Sequence, residues 1–457
     1  MKRLLIILLL FGFILNSCDN DDATIIEAEE QEEFQIDELD DLLTEIQLEL
    51  PQFVEAAGAI SSQLTRLDYM FGGLQQDYLD SFNPSNSYNN KVWTIAYLDM
   101  LPKIQAAKTI AVEEDIQKHL GVAKVIEAYV MTTLVDLYGD VPYSEIGSTE
   151  PSLDDAEVIY ETIIELLDAA IFAFNRNGSD LENDYYYDNN FSKWIKLANT
   201  LKLYVSLNAR LVQGNPLWEF SEIINSGNFI STTDDDFEFH YGLGTSNDTQ
   251  IHPDYTKDYA GTGAGSYRSN WLMDELLTDN DPRLRYYFYR QVDCTPGNFD
   301  SEGNSCNASP SLLDCSWSIR PPHYTGYMVY CSVASGYWGR DHGNSNGIPP
   351  DVYRRTVVGL YPAAGKFDDD DFLPVVGSDI GGIGTGITPI FLASWVDFMR
   401  AEVAILSGDT GTAFSFMESG MRKSIDKTMS FSLLDPDADL DYAPTAIDIS
   451  NFIENNI

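Results

Sequence analysis

Trp271, Tyr324, Tyr337 and Trp338 fall in one stretch rich in Gly, Pro, Asn and Asp, and Asn344 follows them closely. Flat aromatic faces stack on the C–H faces of pyranose rings, and polar side chains nearby hydrogen-bond the hydroxyls, so these residue types suit recognition without chemical change. For each of them the reading as a core or turn residue stands equally open. Catalysis finds less to work with. The five histidines, His119, His240, His252, His323 and His342, stand in no HExxH motif and in no P-loop. Asp and Glu total 72, so an acid–base pair for glycoside hydrolysis could be drawn anywhere and carries no specificity. An enzyme is not expected.

The same stretch holds Cys294, Cys306, Cys315 and Cys331. An even number of cysteines in an exported chain favours two disulfides, and three pairings are open, with neighbour pairing modestly preferred because it closes short loops. Zinc is not expected, since there is no CxxC and histidine is nearly absent nearby. The acidic strings Asp234 to Asp236 and Asp368 to Asp371 offer the oxygens that Ca²⁺ prefers, but neither follows EF-hand spacing, and solvated loops are the expectation. No other cofactor is called for.

Export itself is read from the N-terminus. Lys2 and Arg3 precede an apolar run from Leu4 to Leu15, which is too short to span a bilayer and has the form of a signal peptide, residues 1–17. The segment ends LNSC, which matches the lipobox of bacterial lipoproteins and makes Cys18 the expected lipidated (palmitate-bearing) first residue. Asp19, Asn20, Asp21 and Asp22 follow, and residues 18–33 read as an acidic tether. The formal charge of −45 excludes nucleic acid as a partner, because phosphate binding needs a basic face. It also disfavours direct attraction to an anionic membrane surface, which leaves lipid as the means of attachment. Hydrophobic residues at 44% are ample for a large core.

The elements that must position the aromatic stretch are helical. Apolar spacing predicts helices before and after Pro51, then over Tyr97 to Val112, Leu120 to Tyr138, Ala156 to Phe174, Ser192 to Val212 and Pro216 to Asn225. Asp154, with Glu157 three positions on, is the expected N-cap of the Ala156 helix. Ile387 to Leu406 reads as one further helix, ended by Gly408, with a partner from Thr412 to Ile425. Between these blocks, about 226–386, helical periodicity fades and short strand-like pieces such as Asp236 to Tyr241 appear. The expectation is a single domain over 34–457: a mainly α, tetratricopeptide-like scaffold of helical pairs (34–225 and 387–425) carrying a long irregular, aromatic-rich binding insertion.

Several strings carry a family resemblance. The helix ending in YGDVPYSE (Tyr138–Glu145), the W-x-K-x-A-N-T-L-K-L pattern at Trp194–Leu203, DPRL at Asp281–Leu284, GRDHGN at Gly339–Asn344 and RAE at Arg400–Glu402 together resemble the SusD/RagB group of outer-membrane nutrient-binding lipoproteins. The likeness is to the SusD-like branch described as starch-binding and associating with the outer membrane. It implies an α/α superhelix, glycan binding, and delivery to a SusC-like TonB-dependent outer-membrane barrel from a lipid-anchored position facing the cell exterior. Gln75, Gln76 and Tyr78 lie where such proteins run a loop across one edge of the ligand face, so Tyr78 joins Asn344 as a polar contributor. The resemblance carries no ligand residue onto a specific position. Arg283 and Arg340, scarce cations in an acidic chain, are expected first in internal ion pairs and second at a ligand. Peptide binding, similar to RagB, is the alternative ligand class, and a secreted glycoside hydrolase a distant third. Family members usually continue through further helices, whereas here an acidic, Pro-containing tail follows, which leaves the C-terminal part of the transporter interface open.

Overall fold

The structure, a computed structural model, describes residues 21–69, 87–210, 217–242, 251–259, 261–295, 303, 333–340, 352–377 and 379–457. Its first element is a single helix, α1 (Asp21–Leu64), where two were expected. Pro51 lies inside it. Leu39, Leu43, Ile46, Leu50 and Phe53 are all at most 1% exposed and recur at helical spacing on both sides of the proline. Burying that continuous stripe outweighs the roughly 3 kcal/mol that an interior proline costs. The segment read as a tether is helical from Asp21, in keeping with its Ala, Glu and Gln content.

The scaffold continues through α2 (Ser87–Thr94), a π-helical turn (Ile95–Met100), α3 (Leu101–Glu113), α4 (Gln117–Tyr138), α5 (Ala156–Phe174), α6 (Phe191–Ala209) and α7 (Leu217–Ser226). From α3 to α7 each helix packs against the next, and α4 runs through the core with Val122, Ile126, Val130, Met131 and Leu134 fully buried. Gly139 ends α4 at φ +76°, a left-handed conformation that costs glycine nothing, and its N–H returns to the Val135 carbonyl at 2.8 Å.

After α7 the chain leaves the helical mode. β1 (Phe237–His240), α8 (Pro253–Asp258), α9 (Asn270–Thr278), α10 (Leu284–Tyr287), β2 (Phe288–Tyr289) and β3 (Val357–Val358) are short; β1 joins the scaffold core through Phe237, and the others pack into three small clusters. The chain then pairs β4 (Ile387–Phe391) antiparallel to β1, with Phe239 opposite Thr388 and His240 opposite Ile387. The expected helix over Ile387 to Leu406 is thus a strand followed by α11 (Ala393–Leu406). Pro389 and the β-branched Ile387 and Thr388 favour the extended form, and Asp236 accepts the Ala393 N–H at 2.7 Å where the helix begins. α12 (Thr410–Ser430) packs along α11, and α13 (Ala446–Asn456), opened by a Thr445–Asp448 capping box, lies in the acidic, Pro-containing tail. Phe452 and Ile453 bury it against Ile425. No helix among the described residues is long and apolar enough to cross a membrane.

Candidate functional site

The sequence strings that carry the resemblance are largely internal machinery. In the turn after α4, Asp154 accepts the N–H groups of Tyr143 and Ser144, both at 2.8 Å, and the Ser144 hydroxyl at 2.8 Å. Those bonds hold its carboxyl below the ordinary aspartate range, the Ser144 N–H contributing most. Asp154 therefore staples the GDVPYS turn, and the N-cap role expected of it falls to Asp155, whose Oδ1 accepts the Glu157 N–H at 2.9 Å. Tyr143 reaches back to Glu127, a 1%-exposed carboxylate that also receives Gln105 at 2.8 Å and pairs with Lys108 at 2.5 Å. In α6, Trp194 is fully buried and donates to Asp184 at 2.9 Å, Lys196 pairs with Asp235, and Lys202 with Asp168.

The loop-borne face is organised around Tyr267. Tyr69, just past α1, meets its ring edge-on at 5.8 Å, while the guanidinium groups of Arg340 and Arg355 lie 4.7 and 3.8 Å from its centroid. Ser269 donates to the Arg66 carbonyl at 2.9 Å, which pins this segment to the end of α1. Beneath it Arg268 is fused to the fully buried Asp258, which also accepts the Val358 N–H at 3.0 Å. Gly339 is required by this packing: a Cβ there would meet the Arg268 carbonyl at 2.3 Å and Met273 at 2.5 Å. Arg340 bonds through its backbone to Arg268 and Asn270. It thus serves the fold, as Arg283 does in its pair with Asp281 and its 2.9 Å bond to Ser424. Trp271 sits on the first turn of α9, directly after this pinned segment, and is 45% exposed.

The other predicted ligand residues fare differently. Tyr337 and Trp338 are each 2% exposed. The Arg290 guanidinium covers the Tyr337 ring at 5.0 Å, and the Trp338 indole N–H is donated to the Cys294 carbonyl at 3.0 Å. Both rings are held inside the fold, which corrects their reading as stacking faces. Tyr78, Tyr324 and Asn344 lie outside the described residues, as do Cys18, Cys306, Cys315 and Cys331. Cys294 is disulfide-bonded, to a partner outside the described residues. Tyr69, Tyr267 and Arg355 were not singled out from sequence; the nearest signal was the SYRSNW string, an Arg flanked by aromatics in a chain poor in cations. Tyr353, also 45% exposed, is a second open ring in this region.

Most carboxylates of the acidic strings, expected in solvated loops, are instead ion-paired. Asp235 pairs with Lys196 and Asp236 with Lys427. Asp368 and Asp370 are held by Arg285 and Arg290, and Asp369 and Asp371 by Lys366. No cluster of three or more metal-ligating groups occurs among the described residues. His252, 1% exposed, is pushed down to about 4 by burial and stays neutral at ordinary pH.

A paired-helix scaffold presenting a loop-borne face with open aromatic rings has the form of a binding protein. A family model described as SusD-like, starch-binding associating with outer membrane, matches residues 32–318, and the chain belongs to that family, whose members are binding proteins rather than enzymes. Among solved structures it is similar to a chitin-binding protein (18% identity, TM-score 0.63, covering 91% of this chain and 79% of that one). It is similar also to a SusD/RagB family protein from Bacteroides thetaiotaomicron (18% identity, TM-score 0.60, 92% and 79%). A chitin-binding SusD homologue from Flavobacterium johnsoniae aligns at 16% identity with TM-score 0.56, covering 87% and 71%. At these identities the likeness is one of fold. No curated protein sequence matches.

Proposed function

We propose that this protein is a cell-surface lipoprotein, anchored through lipid on Cys18, that captures nutrient glycans and passes them to a SusC-like TonB-dependent outer-membrane barrel. The observation that carries the recognition step is the exposed indole of Trp271, fixed on the first turn of α9 behind a segment pinned to α1. A sugar ring stacks its C–H face on that indole, and the burial of both apolar faces provides the affinity. A platform on a fixed backbone loses little freedom on binding, which favours recognition of repeating units along a polymer. The names of two fold neighbours make chitin the first glycan to try, beside starch, the ligand in the family description.

The test is affinity electrophoresis of the protein from Asp19 through gels containing single polysaccharides, with a random-peptide pull-down beside it. Retardation by one glycan family that falls at least about tenfold in Trp271→Ala supports this reading, tenfold being about 1.4 kcal/mol. Peptide binding without any glycan binding would overturn it in favour of a peptide-capturing lipoprotein, and sugar release would overturn it in favour of an enzyme.

A further inference from the structure

A cleft of about 490 Å³ opens among α1, α4, α6, β4 and α11, and none of the predicted ligand residues lines it. That volume suits a small organic molecule. Three rings form one side. Tyr204 and Phe391 meet edge to face at 5.8 Å, Phe391 and Trp395 at 6.1 Å, and Trp395 is 40% exposed. Leu137 and Leu201 add aliphatic wall. Three of the wall's hydroxyls are already spent: Ser61, Thr132 and Thr133 each donate to the carbonyl four residues earlier in their own helix.

One charged group faces this space. Asp136, in the last turn of α4, lines the cleft. Tyr160 donates to its Oδ1, while Tyr204 at 2.7 Å and Asn208 at 3.3 Å donate to its Oδ2. These donors are all neutral. Loss of hydration pushes the carboxyl upward, the three hydrogen bonds pull it partly back, and no cation contributes. The result is a carboxylate held only by neutral donors, lining the same cleft as the three rings.

We propose that this cleft binds a small organic cation with an apolar body, its head between Asp136 and the rings of Tyr204, Phe391 and Trp395, its body on Leu137 and Leu201. Coulomb attraction and cation–π contact act on the same head group. An anion would be repelled by Asp136. The site is separate from the Trp271 face, so it stands or falls independently of glycan capture.

The experiment titrates the full chain from Asp19 with phenyltrimethylammonium and with its neutral isostere tert-butylbenzene, followed by saturation-transfer NMR and tryptophan fluorescence. The cation should bind at least about tenfold more tightly than the isostere, a margin that ion pairing and cation–π contact together supply. Asp136→Asn should abolish that preference and leave the isostere's affinity unchanged. Trp395→Ala, a change at an exposed ring, should weaken the cation severalfold and serves as the second variant should Asp136→Asn fail to fold. Equal affinity for the two probes, or cation binding untouched by both variants, would overturn the assignment.

Discussion

The helical scaffold and the loop-rich region between β1 and β4 solve the same problem by different means. In the scaffold, one large apolar cluster runs from Leu39 on α1 to Met399 on α11. In the loop region the apolar clusters are small, and buried charge fills the gaps. Arg290, 5% exposed, grips Asp368, fully buried, at 2.7 and 2.9 Å, and is covered by Tyr337 and Phe372. The scaffold can absorb the loss of a surface pair, whereas the loop region has little apolar packing to fall back on.

The largest expected effect comes from breaking that buried grip. Asp368→Ala strips Arg290 of its bidentate partner inside the protein and should cost about 3 kcal/mol in urea unfolding followed by circular dichroism. The contrasting scaffold change is Arg176→Ala, whose guanidinium and partner Asp115 are 44% and 66% exposed and which should cost less than about 1 kcal/mol. Equal losses would erase the distinction between the regions. Next in size is Asp154→Ala, which releases three hydrogen bonds holding the turn after α4 and should cost about 2 kcal/mol. A loss below ~0.5 kcal/mol would mean the turn is held by its proline and glycine alone.

The same contrast explains what could be read from sequence. Scaffold helices were legible because their signal is local: the α4 stripe and the Gly139 stop repeat at helical spacing. The failures there had tertiary causes. Pro51 is carried through α1 by burial on both sides, and Ile387–Phe391 became a strand because β1, distant in sequence, offers it a partner. In the loop region, residue type announced function less reliably. Trp271, Tyr337 and Trp338 look alike as letters, yet one is open and two are enclosed, one of these beneath Arg290 and the other bonded to Cys294, which are contacts set by long-range geometry. Arg283 forms the internal ion pair expected of it, with Asp281, whereas Arg340 packs on the Tyr267 ring.

The junction of the two regions has its own pH signature. Burial, partly offset by the Ala393 N–H and Lys427, pushes Asp236 up to about 6. Its folded value lies above its unfolded one, so the native state holds the proton more tightly and stability falls as pH rises from about 4 to about 6. Asp236→Asn keeps an acceptor for Ala393 while removing the buried charge, and Lys427 retains Glu238 at 2.6 Å. The variant should match the wild type near pH 4 and exceed it by on the order of 1 kcal/mol at pH 7. A wild-type advantage that grows with pH would show that the attraction of Lys427 dominates instead.

The smallest effect on stability belongs to the residue with the largest assigned role in recognition. Trp271 is 45% exposed and follows Ser269, whose bonds to Arg66 and Leu272 anchor the segment without it. Truncating it removes surface that water already reaches, so Trp271→Ala should change unfolding free energy by less than ~0.5 kcal/mol. Tyr337→Ala, enclosed under Arg290, should cost several times more, about 2 kcal/mol or above. Measured side by side, the two variants separate a ring kept for a ligand from a ring kept for the fold. Should Trp271→Ala destabilise as much as Tyr337→Ala, its indole is packed in solution and the stacking platform must be sought elsewhere on this face, with Tyr353 the next ring to remove.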